Sequence, residues 1–178
     1  LGDPAIGQDG KRKLALVVGV GEYASRPVPD LKGPANDALR VTELLTGPGG
    51  YGFPKDNVCV LLDEMASTKT VRRAFEDVLI QRARPGDTAV FVFAGHGSQT
   101  RDVNGDEPDG WDETLLMHDA RTRGVRDLVD DELHQWLTAL TARTQDVTVV
   151  LDACSSGTGT RSDNRSRARF VPPLSQPI

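Results

Sequence analysis

At 178 residues, with 38% apolar and 26% charged side chains, the chain has the length of one domain and enough apolar surface to bury a core. A formal charge of -5 argues against nucleic acid or an anionic membrane surface as a bulk partner, and no apolar run reaches the ~20 residues of a membrane span. Its two cysteines, Cys59 and Cys154, cannot build a disulfide framework and fit a reduced, cytoplasmic chain.

Residues 1–12 lack an apolar signal core and read as a flexible lead-in. The first apolar run, residues 14–20 (LALVVGV), is followed by a helical stripe of Ala38, Val41, Leu44 and Leu45. A second run (58–62, VCVLL) precedes a stripe of Val71, Phe75, Val78 and Leu79, for which Ser67 or Thr68 would be the N-cap. The third run (88–94, TAVFVFA) leads into an acidic insertion over residues 101–131, where TLLM (114–117) would form a small extra strand. A last stripe, Leu133, Trp136, Leu137 and Leu140, precedes the fourth run (147–151, VTVVL). The runs are short and rich in β-branched residues, as strands covered on both faces are. Their alternation with helices predicts an α/β, doubly wound, mostly parallel sheet flanked by helices over residues 13–160. Residues 161–178, rich in Arg, Ser and Pro, read as a linker or arm.

Ligands of such sheets bind beyond the carboxyl ends of the strands. The third run ends in Ala94-Gly95-His96-Gly97-Ser98, and the fourth in Asp152-Ala153-Cys154-Ser155-Ser156-Gly157. On neighbouring strands, His96 and Cys154 would face each other across one sheet edge. A free thiol, with a pKa of about 8.5, needs a base to become a nucleophile at neutral pH, and an imidazole supplies one. The backbone N–H groups of Gly97 and Cys154 could then hold an oxyanion. Taken singly, a strand-end cysteine is usually a small buried hydrophobe and a histidine usually structural; the pairing is what points to catalysis. Cys59 lies within an apolar run and reads as core. His118 and His134 have no partners at metal-ligand spacing, and Ala24 breaks a GxGxxG match after Gly19-x-Gly21, so no organic cofactor is expected.

These motifs, together with LALVVGVGEY (14–23), GPANDA (33–38), FAGHGSQ (93–99), DGWDETLLMHD (109–119), DDEL (130–133) and DACSSG (152–157), resemble the caspase-like cysteine peptidases, and most closely the metacaspases and their bacterial relatives. The resemblance implies a caspase-like fold and an endopeptidase with a Cys-His dyad, His96 as base and Cys154 as nucleophile. It also implies cleavage after Arg or Lys, with Asp37 and Asp152 as the acidic S1 residues. A carboxylate pair is what a guanidinium seeks, although Asp37 is equally a carboxylate favoured by a helix N-terminus. This sequence departs from the family at Ser155, Ala94 and Pro34.

The stretch from Asp102 places oxygen-bearing side chains at alternate positions with Glu113 twelfth, but Glu107 stands where an EF-hand loop needs Gly. Two readings stay open there, a solvated acidic loop and calcium binding. The resemblance implies calcium, with Asp112, Asp130 and Asp131 as ligands and Asp163 a further candidate. It also implies small-subunit strands absent from this sequence, which would pack beside the fourth run as a segment of the same precursor. Arg161, Arg165, Arg167 and Arg169 would offer a basic-specific peptidase its own processing site. The rival readings are a catalytically silent caspase-like scaffold that binds partners, and a doubly wound ligand-binding domain with an incidental cysteine.

Overall fold

A computed structural model describes residues 2–7, 9–105, 107–153 and 171–173. Four parallel strands form its centre: β1 (Lys13–Gly19), β2 (Val58–Leu62), β3 (Thr88–Ala94) and β7 (Asp146–Asp152), in the order β2-β1-β3-β7. Three helices connect them: α1 (Pro34–Thr46), α2 (Thr68–Ala74, continued by π-helical turns over Phe75–Ile80) and α3 (Asp130–Thr141). The order reverses at β1, as in a doubly wound sheet. β1 and β3 are covered on both faces because their side chains are apolar on both. Leu14, Leu16, Val18, Phe91 and Phe93 pack toward Phe75, Leu79 and Leu140, while Ala15, Val17, Val90 and Val92 pack toward Ala38 and Leu45. Ser67 caps α2 by accepting the Thr70 N–H, one of the two positions anticipated.

The insertion after β3 is more ordered than its acidity suggested. β4 (Gly97–Arg101), β5 (Trp111–Leu115) and β6 (Leu128–Val129) make a separate antiparallel sheet in the order β4-β5-β6. The small strand expected over 114–117 lies three residues earlier, where Trp111, Thr114 and Leu115 alternate between the sheet's faces.

The fourth apolar run, expected to be buried only once a further segment packs beside it, is the outer strand here: in β7 Val150 and Leu151 are 44% and 47% exposed. β7 is the edge of the four-stranded sheet, and among the described residues nothing pairs with its outer side. Within the expected lead-in of residues 1–12, several described residues contact the body or one another. Buried Asn57 exchanges hydrogen bonds with the Ala5 backbone at 2.9 and 2.7 Å, Asp3 meets Arg84 at 2.6 Å, and Ile6 bridges Arg12. Among the described residues no helix is long and apolar enough to cross a membrane.

Candidate active site

The carboxyl edge of the parallel sheet gathers the residues singled out above. β3 and β7 are parallel neighbours in a register that sets Ala94 opposite Asp152. The ladder runs one step further, the Gly95 N–H donating to the Asp152 carbonyl at 3.2 Å. His96 is the next residue on one side, and on the other the sequence continues through Ala153 to Cys154. Cys154 itself, like Asp163 and the arginines at 161–169, lies outside the described residues.

His96 is fully buried, and three contacts hold it. Its backbone N–H donates to the Tyr23 hydroxyl at 2.8 Å, and the Tyr23 ring lies tilted over the imidazole with centroids 5.1 Å apart. The third contact joins Nε2 to the Pro29 carbonyl at 2.7 Å. A carbonyl oxygen can only accept, so Nε2 carries a proton, and in the neutral form of the ring the lone pair lies on Nδ1. Among the described residues Nδ1 has no hydrogen-bond partner although it is buried. A buried ring nitrogen, fixed in tautomer and orientation with its lone pair unspent, is the arrangement a general base requires. Gly95 is needed beside it, since a Cβ there would stand 2.8 Å from the Phe93 ring and 3.1 Å from the Tyr23 hydroxyl.

The two acidic candidates belong to the same edge. Asp37 is half-buried in the first turn of α1. The start of that helix abuts the end of β1, where a Cβ on Gly19 would come within 2.7 Å of both the Pro34 carbonyl oxygen and the Ala38 Cβ. Asp152 is the exposed last residue of β7. Gly97 opens β4, and its carbonyl accepts the Val171 N–H at 2.9 Å. Cys59 is half-buried, and burial pushes its thiol pKa up, away from thiolate chemistry.

The acidic insertion does not assemble as the EF-like spacing suggested. Asp102 closes its own turn, accepting the N–H groups of Asn104, Gly105 and Glu107 at 2.8, 2.7 and 3.1 Å, and these bonds, Gly105's foremost, lower its pKa. Asp131 accepts from the Asn104 amide at 2.7 Å, Asp130 accepts the Asp131 N–H at the start of α3, and Asp112 is buried in β5. Among the described residues no group of three or more His, Cys, Asp and Glu side chains is placed to hold a metal ion. Asp112, Asp130 and Asp131 therefore do not fit a preformed calcium cage, and no chemical step is assigned to one.

Two parts of the histidine's setting carried no role in the sequence reading. Tyr23 closes the first motif, so its position was visible but its hydroxyl's task was not. The Pro29 carbonyl is a backbone group in a loop, for which sequence offers no signal.

A parallel sheet in the order β2-β1-β3-β7, with an oriented imidazole at the end of β3, places the chain among the doubly wound α/β domains that carry their functional side chains at strand ends. Comparison with known proteins makes the class particular. Residues 13–162 match the metacaspase, peptidase C14 domain family, and the chain belongs to that family. It is 35% identical to Metacaspase-1 of Plasmodium falciparum, 32% to Metacaspase-1 of Saccharomyces cerevisiae and 36% to Metacaspase-1 of Arabidopsis thaliana, in alignments covering 82–83% of this chain. It spans only 24%, 34% and 40% of those relatives' lengths. Among solved structures it resembles the protein GSU0716 of Geobacter sulfurreducens, with a TM-score of 0.64 and 28% identity over 82% of this chain and 52% of that one. The fold is caspase-like.

Proposed function

We propose that this domain is the catalytic part of a cysteine endopeptidase that cleaves after Arg or Lys. The observation that carries the reading is the buried Nδ1 of His96, without a partner among the described residues, on a ring held by Pro29 and Tyr23 at the end of the strand paired with the one that leads to Cys154.

In this reading Nδ1 takes the Cys154 thiol proton as the sulfur attacks the scissile carbonyl carbon. The tetrahedral oxyanion is stabilised by the backbone N–H groups of Gly97 and Cys154, each worth about 3–4 kcal/mol in comparable enzymes. Collapse breaks the C–N bond, and the imidazolium gives its proton to the departing amine. Water, deprotonated by the same Nδ1, then cleaves the thioester and restores the thiol. The Pro29 carbonyl keeps the ring from turning Nδ1 away and stabilises its charged form by accepting from Nε2 throughout. Asp37 and Asp152 receive the substrate's cationic side chain, as support from their shared sheet edge suggests.

The finer parts of the proposal have narrower support. The apolar β7 edge, with a cleft of about 100 Å³ beside Leu151 and Ala153, suits a further strand from the same precursor. Calcium activation rests on the family resemblance alone, since no preformed cage stands among the described residues. Self-processing at the arginines of 161–169 follows from the proposed specificity.

The test is hydrolysis of otherwise identical fluorogenic peptides bearing Arg, Lys or Asp at the cleaved position, with calcium and with chelator. Turnover of the Arg and Lys peptides, lost in Cys154→Ala and His96→Ala, is expected. No turnover of any peptide in either condition would favour the silent scaffold.

A further inference from the structure

After residues 154–170 the chain returns to the strand that begins beside His96. The Val171 N–H donates to the Gly97 carbonyl at 2.9 Å, and the Ser98 hydroxyl donates to the Val171 carbonyl at 2.6 Å. The Val171 side chain is buried against Val28, Leu116 and Ala120.

One guanidinium organises this contact. Arg121, its side chain only 4% exposed, donates from Nη1 to the Pro172 carbonyl at 2.6 Å and from Nη2 to the Ser98 hydroxyl. Its Nε lies 3.6 Å from the Asp127 carboxylate. Three separate segments are thus joined through one planar fork, a task Lys cannot reproduce. The residue also holds φ at +61°, in the left-handed region that side chains with a Cβ seldom adopt, while its carbonyl accepts from the Ser25 hydroxyl at 3.3 Å. A buried ion pair is weak evidence of a purely stabilising role, because apolar residues of similar volume do as well. Its position is more informative. Val28, which walls the Val171 seat, adjoins Pro29, whose carbonyl orients the imidazole, and Tyr23 packs against the same cluster while bonding the His96 backbone.

Resting on the peptidase reading above, we propose that Arg121 is a positioning residue of the catalytic centre. It fastens Val171 and Pro172 to the strand that starts at Gly97. Through the Ser98 hydroxyl, two residues beyond His96, and through Val171 packed on Val28, it backs the segment whose Pro29 carbonyl orients the imidazole.

Three forms of the full chain test this: wild type, Arg121→Lys, which keeps a cation for Asp127 but loses the fork, and Val171→Pro, which deletes the N–H given to Gly97 together with the side chain packed on Val28. Hydrogen exchange reads the Val171 region in wild type and Arg121→Lys. Alkylation of Cys154 by iodoacetamide between pH 5 and 9, located by peptide mass spectrometry, reads the thiol, with His96→Ala as reference. Hydrolysis of an Arg peptide gives kcat and KM. The proposal expects faster exchange around Val171 in Arg121→Lys, alkylation profiles moved in both variants toward a free thiol near pH 8.5, and kcat lowered about 10–100-fold with KM within about twofold. Protection retained in Arg121→Lys overturns it. So does a wild-type alkylation profile or kcat in both variants, or a rise in activity, which would make the segment a brake. If the wild-type Cys154 profile already matches a free thiol and His96→Ala, the peptidase reading itself fails, and the proposal with it.

Discussion

Tyr23→Phe isolates one hydroxyl at the heart of the site. The phenol ring would stay against the imidazole, and only the oxygen is lost. That oxygen accepts the His96 N–H at 2.8 Å and donates to the Val20 carbonyl at 3.1 Å, and both residues are fully buried. Leaving a buried polar group unpaired costs about 1–3 kcal/mol. Two such groups, with some relaxation, come to roughly 2–4 kcal/mol. For a domain of this size each kcal/mol moves Tm by about 2–4 °C, so Tm should fall by roughly 5–15 °C. Calorimetry measures the fall, and hydrogen exchange at the His96 amide should accelerate in parallel. A Tm change below about 2 °C, a fraction of what one unpaired group costs, with unaltered exchange at that amide, would refute the claim that this hydroxyl holds the histidine backbone.

Other consequences follow from packing and charge. Gly19→Ala drives a methyl into Pro34 and Ala38 at 2.7 Å and should cost about 1–3 kcal/mol, read from the urea midpoint; an unchanged midpoint would mean that α1 does not press on β1. Asp130 has a raised pKa, chiefly from burial, so its contribution to stability is fully present below the ordinary carboxylate range and is lost as pH rises through its folded value. Asp130→Asn should therefore be more stable than wild type at pH 7, with the gap closing toward pH 3; a gap constant with pH would contradict this. Leu151→Lys, on the exposed β7 edge, should change stability by less than about 0.5 kcal/mol but reduce concentration-dependent association in sedimentation. Association unchanged by the charge would show that this edge is not sticky.

The parallel sheet was legible because each strand is an apolar run bounded by turn residues, and because helical stripes alternate with the strands. Leu14 through Val18 and Phe91 through Phe93 could hardly be anything but a covered centre. Val147 to Leu151 are as apolar as a central strand, which is why a further segment was expected beside β7; pattern reports what a strand could bury, not whether a partner is there. The antiparallel β4-β5-β6 sheet was largely missed because Gly97–Arg101 is polar and Leu128–Val129 is too short to show a period. At the site, His96 was readable as a side chain of catalytic type at a strand end. The groups that orient it are a phenol 73 residues away and the carbonyl of Pro29 67 residues away, joined to it only by the fold. The Asp102 turn shows the converse: regular spacing of carboxylates suggested a metal, but backbone amides of the same loop had the stronger claim on that oxygen.

Covalent capture tests the dyad most directly. An arginyl chloromethyl ketone should attach to Cys154 and not to Cys59, as mapped by peptide mass spectrometry, and attachment should fall sharply in His96→Ala. Labelling of both thiols at similar rates, or labelling of Cys154 indifferent to loss of the imidazole, would contradict the account.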